Sequence, residues 1–320
     1  METQIGVDKI NVVFASDNNY AQHAAVAMVS ILMNTLVPQR LAFFLLNDNI
    51  TAAVQKKMED TVSFWGASLC FVDVDIASFK DLFVSGQLSR TAYFRLEMAK
   101  CLPEKVTKAI YLDCDLLVRD DIVKLWNIDL QGKPLAAVPD YGIMASRKDW
   151  NRKQETLQIH PEDMYFNSGV LVIDIEQWRE KNYGEQVEKL AKTHAYQHHD
   201  QDALNQLFMR NWQVLPLRWN VIPPVWNMFL KILLRKRFRN PALTARRDIA
   251  ILHYAGGYKP WEYKEYEAFN HEYYKCLAKS AFSCEPMPQP DKRRKNRSIK
   301  RQLFRIYWGN FWQNLYERLS

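Results

Sequence analysis

The feature that most constrains this chain is a rhythm. Through its first half, apolar runs of strand length recur between amphipathic stretches. INVVFAS, LAFFLLN, LCFVDVD and KAIYLDCDLLV read as strands. The stretches from Tyr20 to Asn34 and from Thr51 to Val62, together with TAYFRLEMAKCL, carry helical spacing. Strands that are apolar on both faces belong in a parallel sheet covered by helices. LAAVPD and GVLVIDI add two further strands and DIAILHYAG a late one, with no internal repeat. This order predicts an α/β fold with a Rossmann-like, mostly parallel open sheet flanked by helices. Its ligands would bind at the carboxyl ends of the strands.

A chain of 320 residues accommodates one large domain with an appendage. Pro286, Pro288 and Pro290 mark the boundary, giving a domain over 1–285 and a Pro-rich linker and tail over 286–320. From Asp291 onward there are nine Lys or Arg and two acids, an excess equal to the whole formal net charge of +7. The body is therefore neutral, and any surface for an anionic partner lies in the tail. Ile299, Leu303, Tyr307, Phe311, Leu315 and Leu319 recur every fourth residue beside Phe304, Trp308, Trp312 and Tyr316. That is a basic amphipathic helical tail, with Trp and Tyr next to cations, as in helices that lie in an anionic membrane interface. The plainer reading is a helix packed on the domain. A neutral body without a recognised motif predicts no nucleic-acid partner. Five cysteines without metal-ligand spacing, and an N-terminus unlike a signal peptide, predict a cytoplasmic protein. The tail would attach it peripherally to the inner face of the cytoplasmic membrane.

Asp113 and Asp115 close the apolar run YLDCDLL. Carboxylates two apart on a strand share a face and repel unless a cation lies between them, which suits Mg²⁺ or Mn²⁺ with phosphate oxygens. Two solvated acids at a strand end are the plain alternative. Haloacid-dehalogenase-type phosphotransferases also carry Asp-x-Asp after a strand. Leu117, however, stands where Thr or Val is usual there, and the strand comes late in the chain. In LHYAGGYKPW, His253 offers an imidazole to a metal, and the mixed N and O set favours Mn²⁺. Gly256 and Gly257 allow close approach of a phosphate, and Lys259 supplies a point charge. Asp17 and Asn19 in FASDNNYA are turn formers or ligands of a uracil or ribose, with Tyr20 able to stack on the base. Arg95, Asn167, Asp200 and Gln201 lie in TAYFRLEM, YFNSGVLVIDI and HHDQDALNQLF. His198 and His199, adjacent on a helix start, do not converge on one ion. The aromatics (10 Trp, 15 Tyr and 16 Phe) suit sugar faces, cores and membrane interfaces alike.

Together, VFASDNNYA, RTAYFRLEMAKCLPEKVTKAIYLDCDLLVRDDIVKLWNIDL, YFNSGVLVIDIEQW, HDQDALNQLF and HYAGGYKPW resemble glycosyltransferase family 8, in particular the bacterial lipopolysaccharide α-galactosyl- and α-glucosyltransferases. The five blocks run in order through roughly residues 10 to 265. The resemblance implies the GT-A fold and retaining transfer of galactose or glucose from a UDP-sugar to a lipopolysaccharide core or related glycolipid. It gives Asp113, Asp115 and His253 to Mn²⁺, with Mg²⁺ as the alternative. Asp17, Asn19 and Tyr20 go to the uridine, and Gly256 and Lys259 to the phosphates. Arg95, Asp140, Asn167, Asp200 and Gln201 surround the donor sugar, Asp200 and Gln201 as the catalytic pair. Departures from the family are Gln87, where a His is familiar; His198, in place of a Tyr; and the poorly matching segment 221–250. No carboxylate stands out as a nucleophile with its partner, which favours front-face attack with the departing phosphate as base. A phosphotransferase and a non-catalytic nucleotide-sugar binder are the alternatives.

Overall fold

The computed structural model describes residues 9–74, 90–194, 196–226, 236–257, 259–262 and 269–284. Gln87, the boundary at 286 and the tail helix lie outside them. Strands β1 (Ile10–Asp17), β2 (Leu41–Asp48), β3 (Ser68–Asp73) and β4 (Lys108–Leu112) are joined by β6 (Leu135–Pro139), β7 (Phe166–Asp174) and β8 (Gln213–Val214) in one seven-stranded sheet. The order is β3-β2-β1-β4-β7-β6-β8, and β7 alone runs against its neighbours. The mostly parallel sheet read from the sequence is the sheet observed.

Its centre is dry. Every residue from Ile10 to Ala15 and from Leu41 to Leu46 is buried, the signature of strands covered on both faces. Helix Ala21–Met33 (AQHAAVAMVSILM) is apolar nearly all round because it is sandwiched. One side meets the sheet; the other meets helix Asn270–Leu277, where His23 Nδ1 and Tyr273 Oη are 2.6 Å apart.

KAIYLDCDLLV, read as one strand, is two. The chain bends at Asp113–Asp115, and β5 (Leu116–Val118) leaves the sheet to pair antiparallel with β9 (Ile251–His253). Cys114 points inward at the bend, its thiol donating to the Ala15 carbonyl (3.2 Å). The break is physical rather than compositional: two carboxylates cannot follow the apolar run into the core. The new ladder sets His253 opposite Leu116, and the Tyr254 N–H donates to the Asp115 carbonyl at 2.8 Å.

β7 carries a second irregularity. Ala137 pairs with Leu171 but Val138 pairs with Asn167, so Ser168, Gly169 and Val170 bulge out of the β6 ladder. Bulges free backbone groups and re-aim side chains, and this one lies at the strand edge carrying Asp113.

Candidate active site

Asp113, Asp115 and His253 converge at the β4–β5 bend, the one group among the described residues that could hold a metal ion. His253 Nε2 lies 3.1 Å from Asp115 Oδ1 and 3.9 Å from Asp113 Oδ2. Its other nitrogen, Nδ1, meets Asn220 Oδ1 at 2.8 Å, while Asn220 Nδ2 donates to Asn167 Oδ1 at 2.8 Å. Asn220 spends its amide protons on Asn167, so its oxygen faces the imidazole and the Nδ1 proton is used there. Nε2 is thereby held facing both carboxylates, placed to donate to Asp115 or, deprotonated, to ligate a cation lying between them. The donor set of one imidazole and two carboxylates fits a divalent ion of intermediate hardness.

Gly169 makes the convergence possible. A Cβ there would fall 2.5 Å from His253 Cε1 and 2.7 Å from Asp113 Oδ2. Across the site, the Lys259 ammonium pairs with Asp115 Oδ2 and donates to the Tyr254 carbonyl at 2.9 Å. Burial by itself would raise the Asp115 carboxyl, but Lys259 and His253 hold it well below the carboxylate range. Gly256, three residues past β9, has φ +94°, a conformation open to glycine.

Arg95, from helix Phe94–Cys101, ties this cluster to the sugar-side residues. Its guanidinium is buried over the Tyr111 ring, 4.5 Å from the centroid. Nη2 reaches Asp113 Oδ1 at 3.0 Å, and Nη1 donates to the Ser168 carbonyl, freed by the bulge, at 2.7 Å. Nε lies 3.0 Å from Asp200 Oδ2, near enough for an ion pair but without hydrogen-bond alignment. Burial pushes the Asp200 carboxyl up to about 6 against the pull of Arg95, with Asp113 adding to the rise.

Gln201 follows on helix His199–Leu207 and is fully engaged inside the protein. Its Oε1 accepts from the Ser168 N–H (3.0 Å) and hydroxyl (3.3 Å); its Nε2 donates to Asp140 Oδ2 (3.1 Å) and Tyr165 Oη (3.0 Å). Asp140 also accepts from Asn167 Nδ2 (3.1 Å) and caps the helix Tyr141–Met144 through the Ile143 N–H (3.0 Å). A carboxamide so occupied is a brace rather than a nucleophile. His198 and His199 lie outside the metal cluster.

At the end of β1, Asp17 Oδ1 accepts the Tyr20 N–H (2.9 Å), and Asn19 sits exposed in the turn. Tyr20, 40% exposed, meets Trp261 edge-on at 5.9 Å, and Trp261 stacks on His23 at 3.6 Å. Burial lowers His23 to about 3, with Lys259 adding to the fall and Asp115 opposing it, so the ring is neutral. The loop after β9 therefore closes over the end of β1, next to Lys259.

Sequence reasoning missed Gly169, Ser168, Asn220, Tyr165 and Trp261. One signal was legible: a Gly inside the strand FNSGVLV marks a bulge or a close approach. Nothing local distinguishes Asn220.

Comparison with known proteins agrees with this geometry. The Glycosyl transferase family 8 profile matches residues 11–265. The chain is 31% identical over 280 residues to general stress protein A of Bacillus subtilis, covering 84% of this chain and 93% of that protein. It is 26% identical over 256 residues to the lipopolysaccharide 1,2-glucosyltransferase of Escherichia coli, covering 79% and 73%. The solved structure of the galactosyltransferase LgtC in complex with donor and acceptor sugar analogs superposes with a TM-score of 0.74 at 25% identity, covering 87% of this chain and 98% of that one. The fold and site define a GT-A glycosyltransferase. The chain belongs to glycosyltransferase family 8, and the phosphotransferase alternative falls with that assignment.

Proposed function

We propose that this enzyme transfers a hexosyl unit, glucose or galactose, from a UDP-sugar to a lipopolysaccharide core or related surface glycan, with retention and in a Mn²⁺-dependent manner. The observation that carries the reading is the convergence of His253 Nε2 on Asp113 and Asp115 beside the Lys259 ammonium. Those three ligands would hold the ion, which supplies Lewis-acid charge for a diphosphate leaving group. Lys259, freed from Asp115 when the ion is held, adds a point charge for the same phosphates, and Gly256 opens the backbone to them. Asp17, Asn19 and Tyr20 offer the turn and aromatic edge for uridine. Arg95, Asp140, Asn167 and Asp200 line the sugar side. With Gln201 engaged and Asp200 held by Arg95, the residues favour front-face attack, the departing phosphate taking the acceptor proton. The lipopolysaccharide glucosyltransferase among the relatives supports the acceptor class.

Among the described residues no helix is long and apolar enough to cross a membrane. The domain over 1–285 would act at the inner face of the cytoplasmic membrane, attached through the basic aromatic segment 291–320. Screening UDP-sugars for UDP release tests the reading: UDP-glucose or UDP-galactose should turn over with Mn²⁺, better than with Mg²⁺, and not in EDTA. An α-linked product by NMR is expected. Full activity in EDTA, or binding of the UDP-sugar without turnover, rejects it.

A further inference from the structure

We propose that Lys153, Asp202 and Tyr165 form a buried relay that clamps the Gln201 carboxamide in the register bridging Asp140 to Ser168, and that they act on turnover as positioning residues through it. The proposal rests on the reading above that this face is the donor-sugar site. Lys153 comes from the helix Arg147–Leu157, whose other cations Arg147, Lys148 and Arg152 are exposed, yet Lys153 is 1% exposed and Asp202 is 0% exposed. A buried ion pair is often no better for stability than apolar residues of the same volume, so its stability alone does not account for it. Its directionality does.

Asp202 receives Lys153 Nζ on both oxygens (2.6 and 2.5 Å), the His198 N–H (2.9 Å) and Tyr165 Oη (2.6 Å). A carboxylate held by a lysine ammonium on both oxygens and by a backbone N–H has no proton to give, so the tyrosine hydroxyl donates to it. That hydroxyl has a single proton. Towards Gln201 it only accepts, and it takes one Nε2 proton at 3.0 Å. The other Nε2 proton goes to Asp140, and Oε1 is left for Ser168, whose carbonyl holds Arg95. A fixed ammonium is thereby converted, through two buried groups, into a fixed amide. That amide braces both Asp140 and the backbone under Arg95.

Two substitutions perturb the relay differently. Tyr165→Phe removes one anchor and leaves a buried amide proton without its acceptor. Asp202→Asn still offers one oxygen to Lys153 and His198, but turns an amide N–H on Tyr165. The tyrosine proton is then driven against Gln201 Nε2, so a donor faces a donor.

The test is a double-mutant cycle on the full chain: Tyr165→Phe and Asp202→Asn, each in the wild-type and the Gln201→Met background, read as kcat and KM for the UDP-sugar. In the wild-type background Tyr165→Phe should lower kcat about tenfold, and Asp202→Asn further, with KM within about twofold. In the Gln201→Met background neither should lower kcat again. Equal losses in both backgrounds, for either substitution, or losses confined to KM, would overturn the relay. The same cycle read as thermal midpoints needs no substrate, and additive midpoints would also overturn the proposal. Absence of turnover by the wild-type protein would count against the functional reading alone.

Discussion

The two halves of the sheet are built on opposite principles. Around β1 and β2 the interior is apolar and regular: the strands pair residue for residue from Ile10↔Leu41 to Asp17↔Asp48, and hydrophobic burial holds them. Around β6, β7 and the helix His199–Leu207 the apolar strands share the interior with a polar cluster: Asp140, Ser168, Asp200, Gln201, Asp202 and Asn205 are all buried. There a bulge, a glycine and a web of hydrogen bonds replace the continuous ladder. An apolar core tolerates loosening without losing its shape, because its forces are not directional. A polar interior keeps its shape only while every donor meets an acceptor. The first half should therefore govern stability, and the second turnover.

Four experiments can break or sharpen that contrast. The largest effect expected is on turnover: Asp115→Asn, which removes a charged ligand from the ion that His253 and Asp113 would share, should cost on the order of a thousandfold in kcat in protein that still folds. Some loss of melting temperature should accompany it, because Lys259 and His253 lose their paired charge. Steady-state kinetics beside a melting curve checks it; a loss explained by unfolding would count against the division. On the apolar side, Phe44→Ala should cost about 3 kcal/mol of unfolding free energy, measured by urea titration. The activity of the folded fraction should not change. A kcat that fell in step would show that the halves are not separable.

Smaller again, Asn220→Ala should weaken Mn²⁺ half-saturation by about tenfold to a hundredfold, because His253 loses the acceptor that orients it. The smallest effect concerns Asp200, whose carboxyl is raised to about 6 by burial, with Arg95 opposing and Asp113 adding. An acid with a raised folded pKa favours the native state while protonated. That contribution is lost as pH rises from the unfolded value, near 4, through about 6. Without metal, Asp200→Asn should therefore gain stability relative to the native enzyme between pH 4 and 7. The gain should be about 1 kcal/mol, since the lost pairing with Arg95 offsets part of it. Thermal midpoints across that pH range in EDTA would show it, and a difference independent of pH would refute the assignment.

Much of this molecule was legible before folding, and the reason differs by region. The first three strands and their helices announce themselves because burial on both faces demands unbroken apolar runs. Asp113 and Asp115 were legible because acids at the end of such a run are chemically out of place. The single strand read through KAIYLDCDLLV shows the limit: composition continues past the acids, but the ladder does not. Asn220 and Tyr165 gave no signal at all, since an Asn in a turn and a Tyr beside a strand look the same whether or not they brace a neighbour.

By itself the sequence determined the α/β alternation, the strand edge on which chemistry would sit, the acidic pair and the late His and Lys. These are local properties, carried by periodicity and by residue type at a strand end. The tertiary structure alone decided that His253 meets Asp115 across 138 residues of chain, that Gly169 leaves room for both, and that Lys153 is spent inside the protein on Asp202. Those contacts follow from register: where β4 breaks, where β7 bulges and which donor is left facing which acceptor. Hydrogen-bond direction depends on positions fixed to fractions of an ångström, and no local pattern of residues encodes that.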